Sequence, residues 1–361
     1  MIAPCRQTTC LPPLPAAQRD GYCGRLTHEP NSNMSASAPN TTANPIALIH
    51  RGDEYAAGGD KRSAAAFYQA AIRAAAATPR SPALENELVR IRSLLSTYAN
   101  QFQQHLTDHL AAQGFRPEAS SPRFAESLDI VLGRKQIFFQ NPRYYFFPGL
   151  PQIQFYDRAP FPWFAELESH TDAIRDELLE LLRTPDDFKP YVQGDPNRPR
   201  KAEAGMLNNP DWSAFYLWKE GNVITENARR CPRTMAALQK VPLGSLPQRS
   251  PSVLFSLLRP GAHIPPHCGL VNTRLICHLP LIVPEGCRFR VGNETREWRK
   301  GVTWAFDDTI EHEAWNDSKE TRVILLFEIW RPELTAQERD WVTQLFVGID
   351  RYNGAPPAWE I

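Results

Sequence analysis

The chain has 361 residues, and its 40 basic and 40 acidic side chains give a formal charge of zero. That length suffices for two or three domains with buried cores, and the charge balance argues against nucleic-acid binding through broad phosphate neutralisation. No apolar run approaches the ~18 residues that a membrane span requires, no secretory leader is recognisable, and the seven cysteines include no C-x-x-C pair. We therefore expect a reduced, cytoplasmic protein without an integral membrane segment.

The first segment, residues 1–45, is rich in proline, serine, threonine and asparagine and has few large apolar side chains. Its sequence shows neither helical nor strand periodicity. Because such a composition cannot bury enough apolar surface to offset the entropy of ordering, we predict a disordered tail.

Residues 46–132 are alanine-rich and have the periodicity of helices, which predicts a helical module. Small and aromatic residues lie at the offsets of a tetratricopeptide repeat, in which two antiparallel helices touch through the small residues. These residues are Leu48, Gly52, Tyr55, Ala64, Tyr68 and Ala71, with Gly58, Gly59 and Asp60 as the turn. A long amphipathic helix from Leu84 to Phe102 follows. Two interpretations stay open: residues 46–112 dock a protein partner, or the hairpin only packs on its own chain.

Residues 133–361 are predicted to form a second domain of helices followed by strands. A helix begins at about Trp163 and ends before Pro185, and a last helix runs from Leu334 to about Val347. Between them lie short β-branched or aromatic runs separated by turn residues, which predicts an antiparallel sandwich or jelly roll and an α+β fold class. The predicted strands are 252–259, 275–283, 287–291, 297–305 and 321–330.

Two histidines of the strand region suggest a metal site. His267 follows the predicted strand 252–259, and His312 follows the stretch 304–308, so a barrel could bring both imidazoles to its mouth. Two imidazoles from different strands are a common way to hold a first-row divalent metal. A zinc site with Cys268 or Cys277 is disfavoured because the spacing matches no usual zinc pattern.

Arg322 is predicted to point into the core, because it shares its strand face with Ile324 and Leu326. A buried guanidinium without a partner costs several kcal/mol, so an anionic partner is expected. The one acidic residue that alternates onto this face is Glu328, at the far end of the strand. A carboxylate ligand is therefore the expected partner of Arg322.

Two metal-binding histidines and an inward arginine on a jelly roll are typical of iron(II)- and 2-oxoglutarate-dependent oxygenases. The chain resembles the aspartyl/asparaginyl β-hydroxylase family, from about residue 150 to residue 337. The resemblance implies a double-stranded β-helix, or jelly-roll and cupin-like, catalytic domain that uses Fe(II), O₂ and 2-oxoglutarate. The segments that carry it are Phe161-Pro162-Trp163, Asp211-Trp212, Arg259-Pro260-Gly261, His267-Cys268-Gly269, Phe306-Asp307-Asp308, Glu311-His312 and 330–335.

The resemblance also implies roles for individual residues. His267 and His312 match the two iron ligands, and Arg322 matches the arginine that binds the distal carboxylate of 2-oxoglutarate. Further matches to co-substrate contacts are Trp212, Ser256 and His278. The chain departs from the family at Ile276, where other members carry an arginine. Arg274 lies on the same predicted face and could replace it.

Gly269 stands where most related oxygenases carry a third, carboxylate ligand. The absence of that carboxylate is a mark of this family. Water would have to fill the vacant coordination position. We expect Asp307 or Asp308 to hold that water from outside the coordination sphere.

The function expected from the sequence is hydroxylation of the β-carbon of an Asp or Asn side chain in a peptide, a protein or a carrier-bound amino acid. Succinate and CO₂ would be released. Three alternatives stay open: hydroxylation of a lipid acyl chain, halogenation with chloride in the space beside Gly269, and a non-catalytic jelly-roll binding protein with a helical docking module.

Overall fold

A computed structural model describes residues 44–79, 81–193 and 206–354. The predicted disordered tail lies outside these residues, apart from Asn44 and Pro45. The described residues divide into two compact units, and the boundary falls between Ile137 and Phe138. None of the helices described in either unit combines the length and the apolar character needed to cross a bilayer.

The first unit consists of helices that begin at recognisable caps. The side chains of Asn44, Asp60, Ser81 and Ser121 each accept a hydrogen bond from a backbone N–H of the first helical turn, which is the role of an N-cap. The helices are α1 (Pro45–Ala57), α2 (Lys61–Ala75), α3 (Pro82–Ala112) and α4 (Pro122–Val131).

Close packing of α1 against α2 requires glycine at position 52. A Cβ atom on Gly52 would lie 2.5 Å from Cε1 of the buried Tyr68 ring. The Tyr68 hydroxyl donates to Asp53 over 2.6 Å, and Arg90 of α3 donates to both carboxylate oxygens of Asp53. The helices and the turn are consistent with the predicted hairpin. Their assignment to the tetratricopeptide family and a docking role for residues 46–112 stay predictions.

The second unit contains five α-helices and eleven strands within the described residues. The helices are α5 (Phe164–Ser169), α6 (Thr171–Leu181), α7 (Thr225–Arg230), α8 (Pro232–Leu238) and α9 (Ala336–Asn353). The first six strands are β1 (Lys189–Pro190), β2 (Trp212–Lys219), β3 (Asn222–Val223), β4 (Val253–Leu258), β5 (His263–His267) and β6 (Arg274–Ile282). The others are β7 (Cys287–Val291), β8 (Glu294–Glu297), β9 (Trp304–Phe306), β10 (His312–Asn316) and β11 (Arg322–Trp330).

The strands form two antiparallel sheets that make a double-stranded β-helix. The larger sheet has the order β1-β2-β4-β11-β6-β9, with β3 paired to β2, and the smaller one has the order β5-β10-β7-β8. Strands distant in sequence are therefore neighbours, as in a jelly roll. The unit has the predicted α+β, cupin-like architecture.

The large sheet separates two apolar clusters. On β11, Val323, Leu325 and Phe327 belong to the cluster that includes α5, α6 and α8. The alternating residues Arg322 and Ile324 face the cavity on the opposite side of the sheet. The period of two that predicted an inward Arg322 is therefore observed in the strand.

Two local predictions were wrong, and several strands were missed. The run 297–305 is not one strand, because it contains the end of β8, a loop and the start of β9. The helix predicted from Trp163 is divided at His170 into α5 and α6. Sequence reasoning missed β5, which contains Pro265 and Pro266. The sheet tolerates these prolines because β5 is an edge strand.

Candidate active site

His267 and His312 are neighbours across two strands. His267 ends β5, His312 begins β10, and the antiparallel register places the two residues directly opposite each other. Their ring centroids are 4.1 Å apart. The strand pairing therefore brings together two imidazoles that are 45 residues apart in sequence.

Both imidazoles have one nitrogen free to bind a cation. The Nδ1–H of His267 donates to the Pro265 carbonyl over 2.8 Å, and the Nδ1–H of His312 donates to the Ile310 carbonyl over 3.0 Å. This tautomer leaves the Nε2 lone pair available. Burial lowers the pKa of His267 to about 4 and holds the pKa of His312 well below its usual range, so both rings are neutral at pH 7. Two neutral imidazoles suit a first-row divalent metal.

The space beside Gly269 is occupied by a carboxylate from another loop. A Cβ atom on Gly269 would lie only 2.0 Å from Oδ2 of Asp308. Any side chain at position 269 would therefore displace Asp308. Across the described residues, no group of three or more His, Cys, Asp or Glu side chains is arranged to hold a metal ion.

Asp307 and Asp308 have different surroundings, although both are buried. The Asp307 carboxylate accepts hydrogen bonds from Arg331, Gln140 and Thr309, which connect it to the loops around the barrel. Asp308 lines the cavity, and its buried Oδ1 has no hydrogen-bond partner among the described residues. Of the two aspartates expected to hold a water, only Asp308 therefore has a carboxylate oxygen available.

Arg322 lies with two of the predicted co-substrate residues. Its Nη1 donates to the Ser256 carbonyl over 3.2 Å, and Trp212 Nε1 donates to Ser256 Oγ over 3.2 Å. The guanidinium lies 4.8 Å from the ring centroid of Trp298. The three residues come from β2, β4 and β11, which are adjacent strands of the large sheet.

The Arg322 side chain is buried, with 1% of its surface exposed. Its Nε has no hydrogen-bond partner, and no carboxylate in the described part of the chain forms an ion pair with it. Burial lowers the pKa of Arg322 to about 10, so the guanidinium is still charged at pH 7. An unpaired buried cation fits an anionic ligand.

His278 also lines this cavity. Its Nδ1 accepts a hydrogen bond of 3.3 Å from Trp298 Nε1. Burial holds the pKa of His278 well below its usual range. The neutral ring therefore carries its proton on Nε2, which can donate to a ligand oxygen.

Arg274 lines the same cavity, but carboxylates already bind its guanidinium. It donates to Glu328 and, over 3.2 Å, to Asp308 Oδ2. Ile276, the departure from the family pattern, also lines the cavity. Of the sequence-predicted site residues, Trp212, Ser256 and Arg322 are in direct hydrogen-bond contact, whereas Arg274 belongs to a separate ion cluster.

Sequence reasoning missed two aromatic residues of the site. Tyr191 stacks on Trp212 with ring centroids 4.1 Å apart, and Trp298 lies beneath Arg322. Trp298 follows β8 in a run that was interpreted as one continuous strand. Tyr191 follows the two-residue strand β1, and no motif distinguished it.

A family model described as "Aspartyl/Asparaginyl beta-hydroxylase" matches residues 168–332. The chain is 36% identical over 174 residues to the human protein named aspartyl/asparaginyl beta-hydroxylase, a match covering 48% of this chain and 22% of that protein. It is 37% identical over 187 residues to the ornithine lipid ester-linked acyl 2-hydroxylase of Rhizobium tropici. That match covers 51% of this chain and 62% of that enzyme. The chain thus spans less than two thirds of either relative.

Among solved structures, a cupin domain of Cnp3 from Schizosaccharomyces pombe matches with a TM-score of 0.23 and 9% identity, covering 41% of this chain and 74% of that one. The fold is therefore assigned from the strand order itself. The match to the family model includes both histidines and Arg322. Residues 168–332, which include the candidate site, are thus similar to the aspartyl/asparaginyl β-hydroxylase family.

Proposed function

We propose that this chain is an Fe(II)- and 2-oxoglutarate-dependent dioxygenase. Its reaction would hydroxylate the β-carbon of an Asp or Asn side chain in a peptide, a protein or a carrier-bound amino acid. One atom of O₂ would enter the product, and 2-oxoglutarate would leave as succinate and CO₂. The observation that carries the proposal is the buried Arg322. It has no carboxylate partner among the described residues, and it shares a cavity with two imidazoles that each have a nitrogen available to bind a metal.

The two histidines and Asp308 would form the metal-binding end of the cavity. His267 and His312 would hold the iron through Nε2, because their Nδ1 atoms are fixed by backbone carbonyls. When bound, the iron would supply the activation of O₂ that an unactivated C–H bond requires. Asp308 Oδ1 would accept from a water in the position that a carboxylate ligand has in other oxygenases.

The end of the cavity that contains Arg322 would hold the co-substrate. Arg322 would bind the distal carboxylate of 2-oxoglutarate, assisted by the Ser256 hydroxyl that Trp212 orients. His278 Nε2–H is available to donate to a further oxygen. The aromatic rings of Phe289, Phe306 and Trp298 line the cavity and would exclude water around the bound molecule.

The test is to incubate purified protein with Fe(II), O₂, 2-oxoglutarate and a cell extract, and to measure succinate and oxygen incorporation. Succinate formation that requires Fe(II), together with a peptide or amino acid that gains one oxygen, supports the proposal. Preserved turnover in the His267→Ala, His312→Ala double variant contradicts it.

The second candidate function is hydroxylation of a lipid acyl chain. It is supported by the similarity to the Rhizobium tropici enzyme, of which this chain covers a larger share than of the human protein. A lipid extract offered alongside the peptide fraction separates the two functions. Oxygen gained on an acyl chain, with unmodified peptides, would replace the first candidate by the second.

Halogenation and a non-catalytic binding role are less well supported. The Asp308 carboxylate fills the space beside Gly269 where chloride would have to bind, and two anions in one site repel each other. A binding protein would retain 2-oxoglutarate affinity but form no succinate. The same incubation distinguishes this outcome from an active enzyme.

A further inference from the structure

The cavity wall farthest along β11 from Arg322 carries three buried ionisable side chains, and burial raises the pKa of one of them, Asp308, to about 7. Glu328 lies six residues after Arg322 on the same face, and its carboxylate accepts hydrogen bonds from Arg274 and Ser250. Arg274 also donates to Asp308. Arg274 and Glu328 are each 4% exposed and Asp308 is 3% exposed. Two carboxylates thus face one guanidinium at this wall.

Among the described residues that line the cavity, Arg274 is the one cation at this wall. Ile276 stands directly opposite Glu328 in the β6–β11 ladder and presents only hydrocarbon to the cavity. Arg274 is already shared between two carboxylates. Protonation of Asp308 would leave the three groups neutral overall, so neither state of Asp308 gives the wall a net positive charge.

The wall nevertheless has unused hydrogen-bonding capacity of both kinds. Among the described residues, neither Arg274 Nε nor Asp308 Oδ1 has a hydrogen-bond partner. A carboxylate oxygen has two lone pairs, so Asp308 Oδ1 can accept from a ligand as well as from the proposed water. Both residues line the cavity. Buried polar atoms are normally hydrogen-bonded, so these two indicate groups that a ligand or water satisfies.

We propose that this wall selects a substrate with an uncharged carboxamide, so that the enzyme hydroxylates asparaginyl rather than aspartyl side chains. This inference rests on the proposed function and narrows it to one substrate class. A carboxylate would approach two carboxylates without a free counterion. A carboxamide offers one acceptor and two donors, which complement the mixed donor and acceptor character of the wall.

The test uses an equimolar peptide library with Asn or Asp at a central position and randomised flanking residues. The library is incubated with Fe(II), O₂ and 2-oxoglutarate, and mass spectrometry counts products that have gained one oxygen at the central residue. We expect products with central Asn to exceed those with central Asp at least about tenfold. Equal yields, a preference for Asp, or succinate formation without oxygen at either residue overturns the inference.

Two variants test whether the wall charge causes the preference. Ile276→Arg places a guanidinium beside Glu328, and Glu328→Gln removes one negative charge without adding volume. Each should lower the Asn-to-Asp product ratio about tenfold or more. Val302→Arg adds the same charge at an exposed position outside the cavity and should leave the ratio unchanged. An unaltered ratio in both wall variants contradicts the inference.

Binding of 2-oxoglutarate separates failure of the inference from failure of the proposed function. The co-substrate is predicted to bind at Arg322, away from the wall that the variants change. Retained 2-oxoglutarate binding also shows that a wall variant has folded. If the unmodified protein neither binds nor decarboxylates 2-oxoglutarate, the proposed function is wrong, and the inference about the substrate is then wrong as well. If it does both but prefers Asp, only the inference is wrong.

Discussion

Two buried arginines of the same cavity differ in their partners. Arg274 lies between Glu328 and Asp308, whereas Arg322 contacts Ser256 and the Trp298 ring and has no carboxylate partner among the described residues. A buried charge is tolerated when a counterion and hydrogen bonds compensate its desolvation. The difference indicates that Arg274 is part of the protein's own structure, and it supports our proposal that Arg322 binds an external anion.

The largest expected effect concerns the imidazole pair next to these arginines. His267→Ala or His312→Ala should reduce Fe(II)-dependent succinate formation at least about a thousandfold, because one imidazole cannot retain the metal. The matched control is His263→Ala, since His263 is partly exposed and pairs with Glu313. Measurable turnover in either active-site variant would show that the metal lies elsewhere.

The comparison of the arginines predicts opposite effects on stability. Arg274→Leu leaves Glu328 and Asp308 as buried, uncompensated carboxylates, and should lower the free energy of unfolding by about 3–5 kcal/mol. Arg322→Leu removes a charge that has no counterion among the described residues, and should leave the free energy of unfolding unchanged or higher. Urea denaturation of the ligand-free variants measures both values. Equal destabilisation would remove the distinction between the two sites.

A smaller effect is expected from the carboxylate beside Gly269. Asp308→Ala should weaken metal affinity about 10–100-fold, as is typical when an outer hydrogen-bonding partner of a metal site is lost. Titration with Co(II), followed by its visible absorption, measures this affinity directly. Unaltered Co(II) affinity would contradict a role for Asp308 in holding a metal-bound water.

Packing in the first unit gives a prediction about stability, and the substitution should leave the candidate active site unchanged. Gly52→Ala inserts a methyl group against the Tyr68 ring and should cost about 1–3 kcal/mol of stability in the α1–α2 pair. Gly58→Ala is the control, because its Cβ would meet only atoms at ordinary contact distance. Thermal unfolding of both variants checks the difference, and equal melting temperatures would contradict tight packing at Gly52.

Periodicity predicted which side chains face the cavity, because alternation on a strand is a local property. The inward positions of Arg322 and Ser256 follow from this rule. The pairing of Arg274 with Glu328 could not be predicted, since it depends on β6 lying beside β11. The approach of Asp308 to Gly269 joins two loops that are distant in sequence, and no local pattern encodes it.

The histidine pair illustrates the same limit. The sequence spacing indicated two imidazoles at the ends of different strands, but β5 and β10 were not recognised as strands. Pro265 and Pro266 lack the N–H that a strand ladder uses, and the edge position of β5 in the small sheet accommodates them. The family resemblance supplied the roles of these residues, while the ladder register explains their proximity.

The central claim is that Arg322 binds the carboxylate of 2-oxoglutarate. Isothermal titration of 2-oxoglutarate into Mn(II)-loaded protein tests it without turnover. We expect one binding site in the unmodified protein, an affinity loss of at least about 100-fold in Arg322→Leu, and no loss in the control Arg288→Leu, which alters an exposed arginine. Equal affinity of the unmodified protein and Arg322→Leu would contradict the account.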